Sequence, residues 1–290
     1  MIHIVIPVFN RWQFTKACLQ SLQQQTYSDF KIVVVDHGSI DGTSEKIAEQ
    51  FPDVVILKGD ESMWWAAATN LGVKYALEIS KSNEDFVLTL NNDLEVGENY
   101  FEELLNIYHI TKPSLVGSTS VDFDRQEKIC FVGITWNKYT AKQRVLPITY
   151  TKYSIVKNNI EYTQSDLLQG RGTLIPIVLF QEIGIYDAIN FPHYGADEDF
   201  SLRCKNKDYA LVVAVKALVK SHVTATGTNF VYQKQNFTQF IKSFNLKNSP
   251  NNLRIRYKWA KKHTPFPLSY FVIDMSRVFF SYLKKTILRK

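Results

Sequence analysis

Two short stretches hold residue types able to do chemistry at close spacing. In Asn91-Asn92-Asp93, three oxygen-bearing side chains end the apolar run Phe86-Val87-Leu88-Thr89-Leu90, with the carboxylate last. Such a set suits a hard divalent cation, which takes oxygen ligands and bridges to phosphate. In Asp197-Glu198-Asp199, three carboxylates stand together ahead of Phe200, Leu202 and Arg203. Crowded carboxylates raise one another's pKa, which suits a general base. Each stretch also has a plain structural use. An Asp after a strand serves as a turn residue or cap, and acids at a helix start complement its dipole.

The elements that carry these residues decide between the two uses. "IHIVIPV", "FKIVVVDHGS", "VVILKG" and "FVLTLN" read as strands, rich in β-branched residues and nearly continuous in apolar character. Between them "QFTKACLQSLQQQT", "DGTSEKIAEQF" and "AAATNLGVKYALEIS" have apolar positions at helical spacing. A further helix is expected directly after Asp93. This βαβαβαβ order predicts an α/β fold with a mainly parallel, Rossmann-like sheet flanked by helices. Ligands in such folds sit beyond the carboxyl ends of the strands. Asn10, Asp36 and Asp93 then share one rim, and that convergence favours a site.

The motifs exclude two familiar ways of holding phosphate. The first turn, "IPVFNRWQF", has no glycine where a dinucleotide fold needs G-x-G-x-x-G, and no G-x-x-x-x-G-K-[ST] occurs. A divalent cation on Asp93 is the remaining route to a diphosphate.

Composition narrows the rest. The 290-residue chain can bury a large core. Three scattered cysteines, Cys18, Cys130 and Cys204, suggest neither a disulfide framework nor a zinc site. The start, "MIHIVIPVFN", lacks the features of a signal peptide, and no apolar run reaches membrane-span length. A cytoplasmic protein is expected, with access to the inner face of the cell membrane. From Pro250 onward ten Lys and Arg stand against one acid, Asp274, so this tail carries about +9 of a chain whose total is +6. A basic tail on a mildly acidic body points to a membrane surface or a partner, and no recognition motif speaks for nucleic acid.

"VIPVFNR", "VVVDHGSIDGT", "AAATNLGV", "LTLNND" and "YGADEDFSLR", in that order, resemble a family 2 glycosyltransferase of the GT-A fold. The resemblance covers roughly residues 1–225 and is nearest to the bacterial branch that builds surface polysaccharides, with rhamnosyl-transferring relatives suggested by the Trp64-Trp65 pair. It implies a nucleotide-diphosphate sugar donor (a UDP- or dTDP-sugar), Mg2+ or Mn2+, inversion at the anomeric carbon, and a carbohydrate or lipid-linked saccharide acceptor. By position, Pro7, Val8 and Asn10 would line the nucleotide pocket, Asp36 would meet the base, and Ser39 and Asp41 would lie beside the nucleoside. Asn70 matches a position near the nucleotide, Asn91 and Asn92 stand beside the ribose and metal, and Trp65 would wall the donor sugar. Asp93 is the expected metal ligand, with His222 where some members place a second one. Asp197 falls on the catalytic base position, Asp199 is the fallback, and Arg203 is a structural partner of these acids. Gln169, Gly170, Arg171 and Gly172 match a segment near donor and acceptor. The chain departs from the family at His37, which replaces an acid or amide, at "NND", which replaces D-x-D, and at Ala196, which replaces Glu.

A catalytic domain over residues 1–225 is expected, with a nucleotide-sugar half (1–100) and an acceptor half (101–225), then a basic helical region over 226–290. In "SYFVIDMSRVFFSYLKK" the polar residues Asp274, Arg277, Ser281, Lys284 and Lys285 share one arc of a helix and the apolar ones the other. Such a helix packs on the body, packs on a second subunit of a homo-oligomer, or rests on an anionic leaflet. The rival readings are a sugar-phosphate nucleotidyltransferase and an inactive sugar-nucleotide-binding protein.

Overall fold

The computed structural model describes residues 1–124, 128–222 and 236–287. The first half alternates as the sequence predicts: β1 (Ile2–Val8), α1 (Trp12–Gln23), β2 (Phe30–Asp36), α2 (Thr43–Gln50), β3 (Val55–Lys58), α3 (Trp65–Ile79) and β4 (Phe86–Thr89). After Asp93 the chain first makes a short strand, β5 (Leu94–Val96), and only then α4 (Tyr100–Thr111). The second half holds β6 (Ser114–Asp122), β7 (Ile129–Phe131), β8 (Ile134–Asn137), β9 (Lys142–Val145), α5 (Tyr153–Val156), β10 (Tyr162–Gln164), β11 (Thr173–Pro176), α6 (Val178–Ile183), α7 (Ala196–Lys205) and β12 (Ala210–Ser221). Three helices follow: α8 (Phe237–Ser243), α9 (Leu253–His263) and α10 (Pro267–Ile287).

The main sheet runs in the order β10-β12-β6-β11-β4-β1-β2-β3, with β5 on β12 and β7 on β6. Pairs β1–β2, β1–β4, β2–β3 and β6–β12 are parallel, whereas β11 lies antiparallel between β4 and β6. The mainly parallel sheet is therefore as expected, and the reversed strand β11 is what local pattern did not reveal. It matters because β11 starts at Thr173, directly after Gln169–Gly172, and so brings that segment to the rim where β4 ends.

Apolar side chains on the two faces of the sheet form two cores, one around Val5, Val87, Leu115 and Phe200 and the other around Ile4, Leu88, Phe101 and Val212. Gly72 explains itself here. A Cβ on it would stand 2.4 Å from Val5 Cγ1 and 3.1 Å from Val35 Cγ2, so glycine lets α3 lie close on β1 and β2. The C-terminal helices pack on the body: Trp259 of α9 and Tyr270 of α10 are buried, and both rings meet Trp136 edge-on. The expected domain boundary at residue 225 lies outside the described residues. Among the described residues no helix is long and apolar enough to cross a membrane.

Candidate active site

A cavity of about 1080 Å3 opens at the carboxyl ends of β1, β2 and β4, with the C-terminal helices as its far wall. Asp93 and Asp197 both line it, as do Pro7, Trp65, Asn91, Asn92, Gln169, Gly170 and Arg171.

Asp93 is 6% exposed, and its Oδ1 has no hydrogen-bond partner among the described residues. Burial pushes its carboxyl above the ordinary range, against the opposing charges of Arg171 and Arg11. A buried carboxylate oxygen left unpaired is costly, and a cation would relieve it. Among the described residues no group of three or more His, Cys, Asp or Glu could hold a metal. The donor set still fits Mg2+ or Mn2+ in one mode, a single carboxylate completed by substrate phosphates and water. His222 does not join it. Its Nε2 pairs with Glu95 Oε1 at 3.0 Å, and its ring stacks on Phe123 with centroids 4.0 Å apart. Its link to Asp93 is through the backbone, His222 N–H donating to the Asp93 carbonyl at 3.3 Å.

Asp197 enters the cavity from the first turn of α7. Gly195, at φ 84°, makes the left-handed turn that starts this helix. The Asp197 carboxylate accepts from the Gly170 N–H (2.7 Å) and the Glu198 N–H (3.0 Å). Burial pushes its carboxyl up in spite of these bonds and of the Arg171 charge. Glu198 is pushed to about 8 by burial and by the charge of Asp197. Arg171 thus lies in electrostatic reach of both Asp93 and Asp197, and it is held by Gln169 Oε1 at 2.9 Å.

Asp199, the fallback base, is fully buried and does not line the cavity. Its carboxylate takes Arg203 Nε (2.9 Å), His263 Nε2 (2.7 Å) and Lys262 Nζ (2.7 Å). Burial alone would raise its carboxyl, but these partners outweigh it and hold it below the ordinary range. Arg203 also donates to the carbonyls of Ile183 and Ile185, which makes it the structural partner expected.

The loops after β1 and β2 brace one another. Asn10 Oδ1 accepts from the Ile40 N–H, Ser39 Oγ accepts from the Asn10 N–H, and Asp41 Oδ2 accepts from the Trp12 N–H, at 2.9, 2.7 and 3.1 Å. Asn10 and Arg11 are left-handed at φ 57° and 66°, which turns the chain off β1 with Arg11 on the cavity wall. Asp36 is 2% exposed and is turned into its own loop, where Ser44, the Ser39 N–H and Lys58 engage it. His37, the departure from the family, lines the cavity in its place. Val8 is fully buried in the core. Asn70 clamps Tyr186 through two backbone bonds of 2.8 and 2.9 Å. Trp65 Nε1 donates to Asn91 Oδ1 at 2.9 Å, and Asn92 Nδ2 donates to Thr15 Oγ1 at 2.9 Å. A Cβ on Gly170 would meet the Trp65 ring at 2.3 Å, so that glycine lets the indole lie against the segment that holds Asp197. Gly172, at φ 85°, is packed against Tyr100 and Ser118 and stays out of the cavity.

Sequence reasoning missed the far wall: His193, Tyr194, Arg256 and Trp259 line the cavity, with Asp274 and Arg277 of α10. The polar arc of α10 was the available signal, since an arc of charge on a packed helix needs a polar neighbour.

The model of "Glycosyl transferase family 2" matches residues 3–160. Glycosyltransferase AglE of Haloferax volcanii is 28% identical over 224 residues, 73% of this chain and 64% of that protein. An uncharacterized glycosyltransferase of Rickettsia felis is 27% identical over 188 residues, 64% of this chain and 29% of that protein. The chain thus spans less than two thirds of the length of these curated relatives. Among solved structures, GalNAc-T7 with UDP, GalNAc and Mn2+ superposes with a TM-score of 0.60 at 14% identity over 100% of this chain and 56% of that one. Staphylococcus aureus TarS 1-349 superposes with a TM-score of 0.52 at 12% identity over 98% of this chain and 73% of that one, and both likenesses are of fold. With the family model matching over half its length and the rim carboxylates of the fold in one cavity, the chain belongs to glycosyl transferase family 2.

Proposed function

We propose that the protein is an inverting glycosyltransferase of polysaccharide biosynthesis in the cytoplasm. It moves a sugar from a UDP- or dTDP-sugar to a hydroxyl of a glycan or lipid-linked saccharide. The observation that carries this reading is that Asp93 and Asp197 line one cavity with Arg171 in reach of both.

Asp197 is the general base, its carboxylate oriented by the Gly170 and Glu198 N–H groups. It takes the proton of the acceptor hydroxyl as that oxygen bonds to the anomeric carbon. The bond from that carbon to the donor's diphosphate breaks on the opposite side, and nucleoside diphosphate leaves. One displacement inverts the centre. Asp93 would hold Mg2+ or Mn2+, which when bound offsets the negative charge of the diphosphate. Arg171 and Arg11 add fixed positive charge on the same wall. The presence of UDP and Mn2+ with the fold neighbour GalNAc-T7 supports this donor and cation class.

Nucleoside diphosphate release, measured with donor, acceptor glycan and Mg2+ or Mn2+, is expected to fall by about 10²–10⁴-fold in Asp197→Asn and to be abolished in Asp93→Ala. Equal rates in all three proteins sink the assignment. Pyrophosphate as product points to a nucleotidyltransferase, and donor binding without turnover to a sugar-nucleotide-binding protein.

A further inference from the structure

The last helix buries only part of its apolar surface. Asp274, Arg277, Ser281 and Lys285 of α10 line the cavity. The opposite side of the helix carries Leu268, Val272, Phe279 and Phe280, which are 68%, 56%, 43% and 66% exposed. On a surface helix the apolar stripe ordinarily faces the core. Here the inward side already holds Tyr270, Phe271, Ile273, Val278 and Tyr282, and a second apolar set is left facing out. α9 extends it with exposed Leu253 and Tyr257, the Tyr257 ring meeting Phe271 of α10 edge-on with centroids 5.5 Å apart. Among the described residues twenty large hydrophobic side chains are exposed, and ten of them fall between 237 and 280, a clustering that marks an interaction surface.

Charge decides what covers it. Residues 236–290 contain twelve Lys and Arg against one acid, Asp274. That acid is turned into the cavity, where Arg256 Nη1 donates to it at 2.6 Å. Exposed Arg254, Lys261 and Lys284 therefore flank the apolar stripe without a carboxylate from their own segment. A second copy docked across a two-fold axis would set two basic faces together. An anionic lipid surface neutralises the bases and takes the apolar arc into the headgroup boundary.

We propose that the outer face of α9 and α10 docks on an anionic bilayer. In this arrangement the cavity lies behind one helix, about 10 Å from the headgroups. Resting on the glycosyltransferase reading, the geometry then names the acceptor class: a saccharide anchored in that bilayer, whose linker enters past α10.

The test is flotation of the full chain with vesicles of phosphatidylcholine, alone or with about one third phosphatidylglycerol. The chain is expected to float with the anionic vesicles, at least roughly tenfold less with neutral ones, and to be released by high salt. Leu268→Ser with Phe280→Ser, and separately Arg254→Glu with Lys261→Glu, are each expected to lower flotation roughly tenfold or more. All four positions are exposed and outside the cavity, so nucleoside diphosphate release with a water-soluble acceptor stays at the wild-type rate. Absent flotation with anionic vesicles, or variants that float like wild type, overturns the proposal. So does a concentration-dependent dimer that the same variants dissolve. Flotation without any donor turnover would instead remove the glycosyltransferase reading and leave the docking standing.

Discussion

Asp197 and Glu198 are adjacent in the chain, and folding couples their titration. Both are raised by burial, and the charge of Asp197 then holds the proton on Glu198 up to about pH 8. The pair titrates as a coupled unit with two macroscopic steps, Glu198 being pushed to about 8. Activity is expected to rise with pH as the first proton leaves. It is expected to fall near pH 8, where a second negative charge enters a cavity that must bind an anionic donor. Glu198→Gln mimics the neutral acid, so it is expected to keep its rate at neutral pH and to lose the alkaline fall. A kcat/KM profile against pH checks this, and an unchanged alkaline limb in the variant would assign it to another group. Sequence reading singled out Asp197 and Asp93, which the structure brings to one cavity, because chemistry-bearing residues at strand and helix ends are visible in order. It could not separate Asp197 from Asp199. Two residues apart on α7, they point to different sides, and only the partners on α9 reveal which side is which.

At the scale of elements, Asp199 ties three of them together. Arg203 joins it to the chain after α6, and Lys262 and His263 join it to α9. The cavity's far wall, Trp259 included, stands on that same α9. Asp199→Asn takes the buried anion away from Arg203, Lys262 and His263 and is expected to cost about 3 kcal/mol of stability. Urea denaturation should report that loss, while turnover at low temperature falls far less than in Asp197→Asn. A stable but inactive Asp199→Asn would return the base role to Asp199. The parallel half of the sheet was legible because its strands and helices follow local periodicity. The antiparallel insertion of β11 was not, since a buried strand looks the same in either direction. Nor was the fate of Asp36, because the hydroxyls and N–H groups that fold it inward come from the loop's own geometry.

At the scale of the whole molecule, the displaced acids among the described residues fall into two groups of opposite sign. Asp36, Asp199 and Asp187 lie below the ordinary range, Asp187 at about 2; burial opposes this, and hydrogen bonds from Ser44, His263 and Lys262 respectively prevail. These carboxylates stabilise the fold above their ordinary pKa, and that stability is lost as pH drops through their folded values. Asp93, Asp197 and Glu198 lie above it. The folded state binds their protons more tightly than the unfolded chain does, so stability falls as pH rises from the ordinary carboxylate range to about 8. Maximum stability is therefore expected on the acid side of neutrality, near about pH 5. On the proposed function, the pair of Asp197 and Glu198 is where the molecule gives up stability for a reactive carboxylate, a common trade at active sites. Asp197→Asn combined with Glu198→Gln removes the ionisation and is expected to raise Tm at pH 8 by roughly 2–6 °C while abolishing turnover. Toward the ordinary carboxylate range, near about pH 5, the difference from the wild type should shrink, because the raised groups hold more of their protons there. Thermal unfolding at the two pH values checks this. Coincident melting at both would mean that the pair is well solvated, and would also remove the basis for the alkaline limb assigned to Glu198.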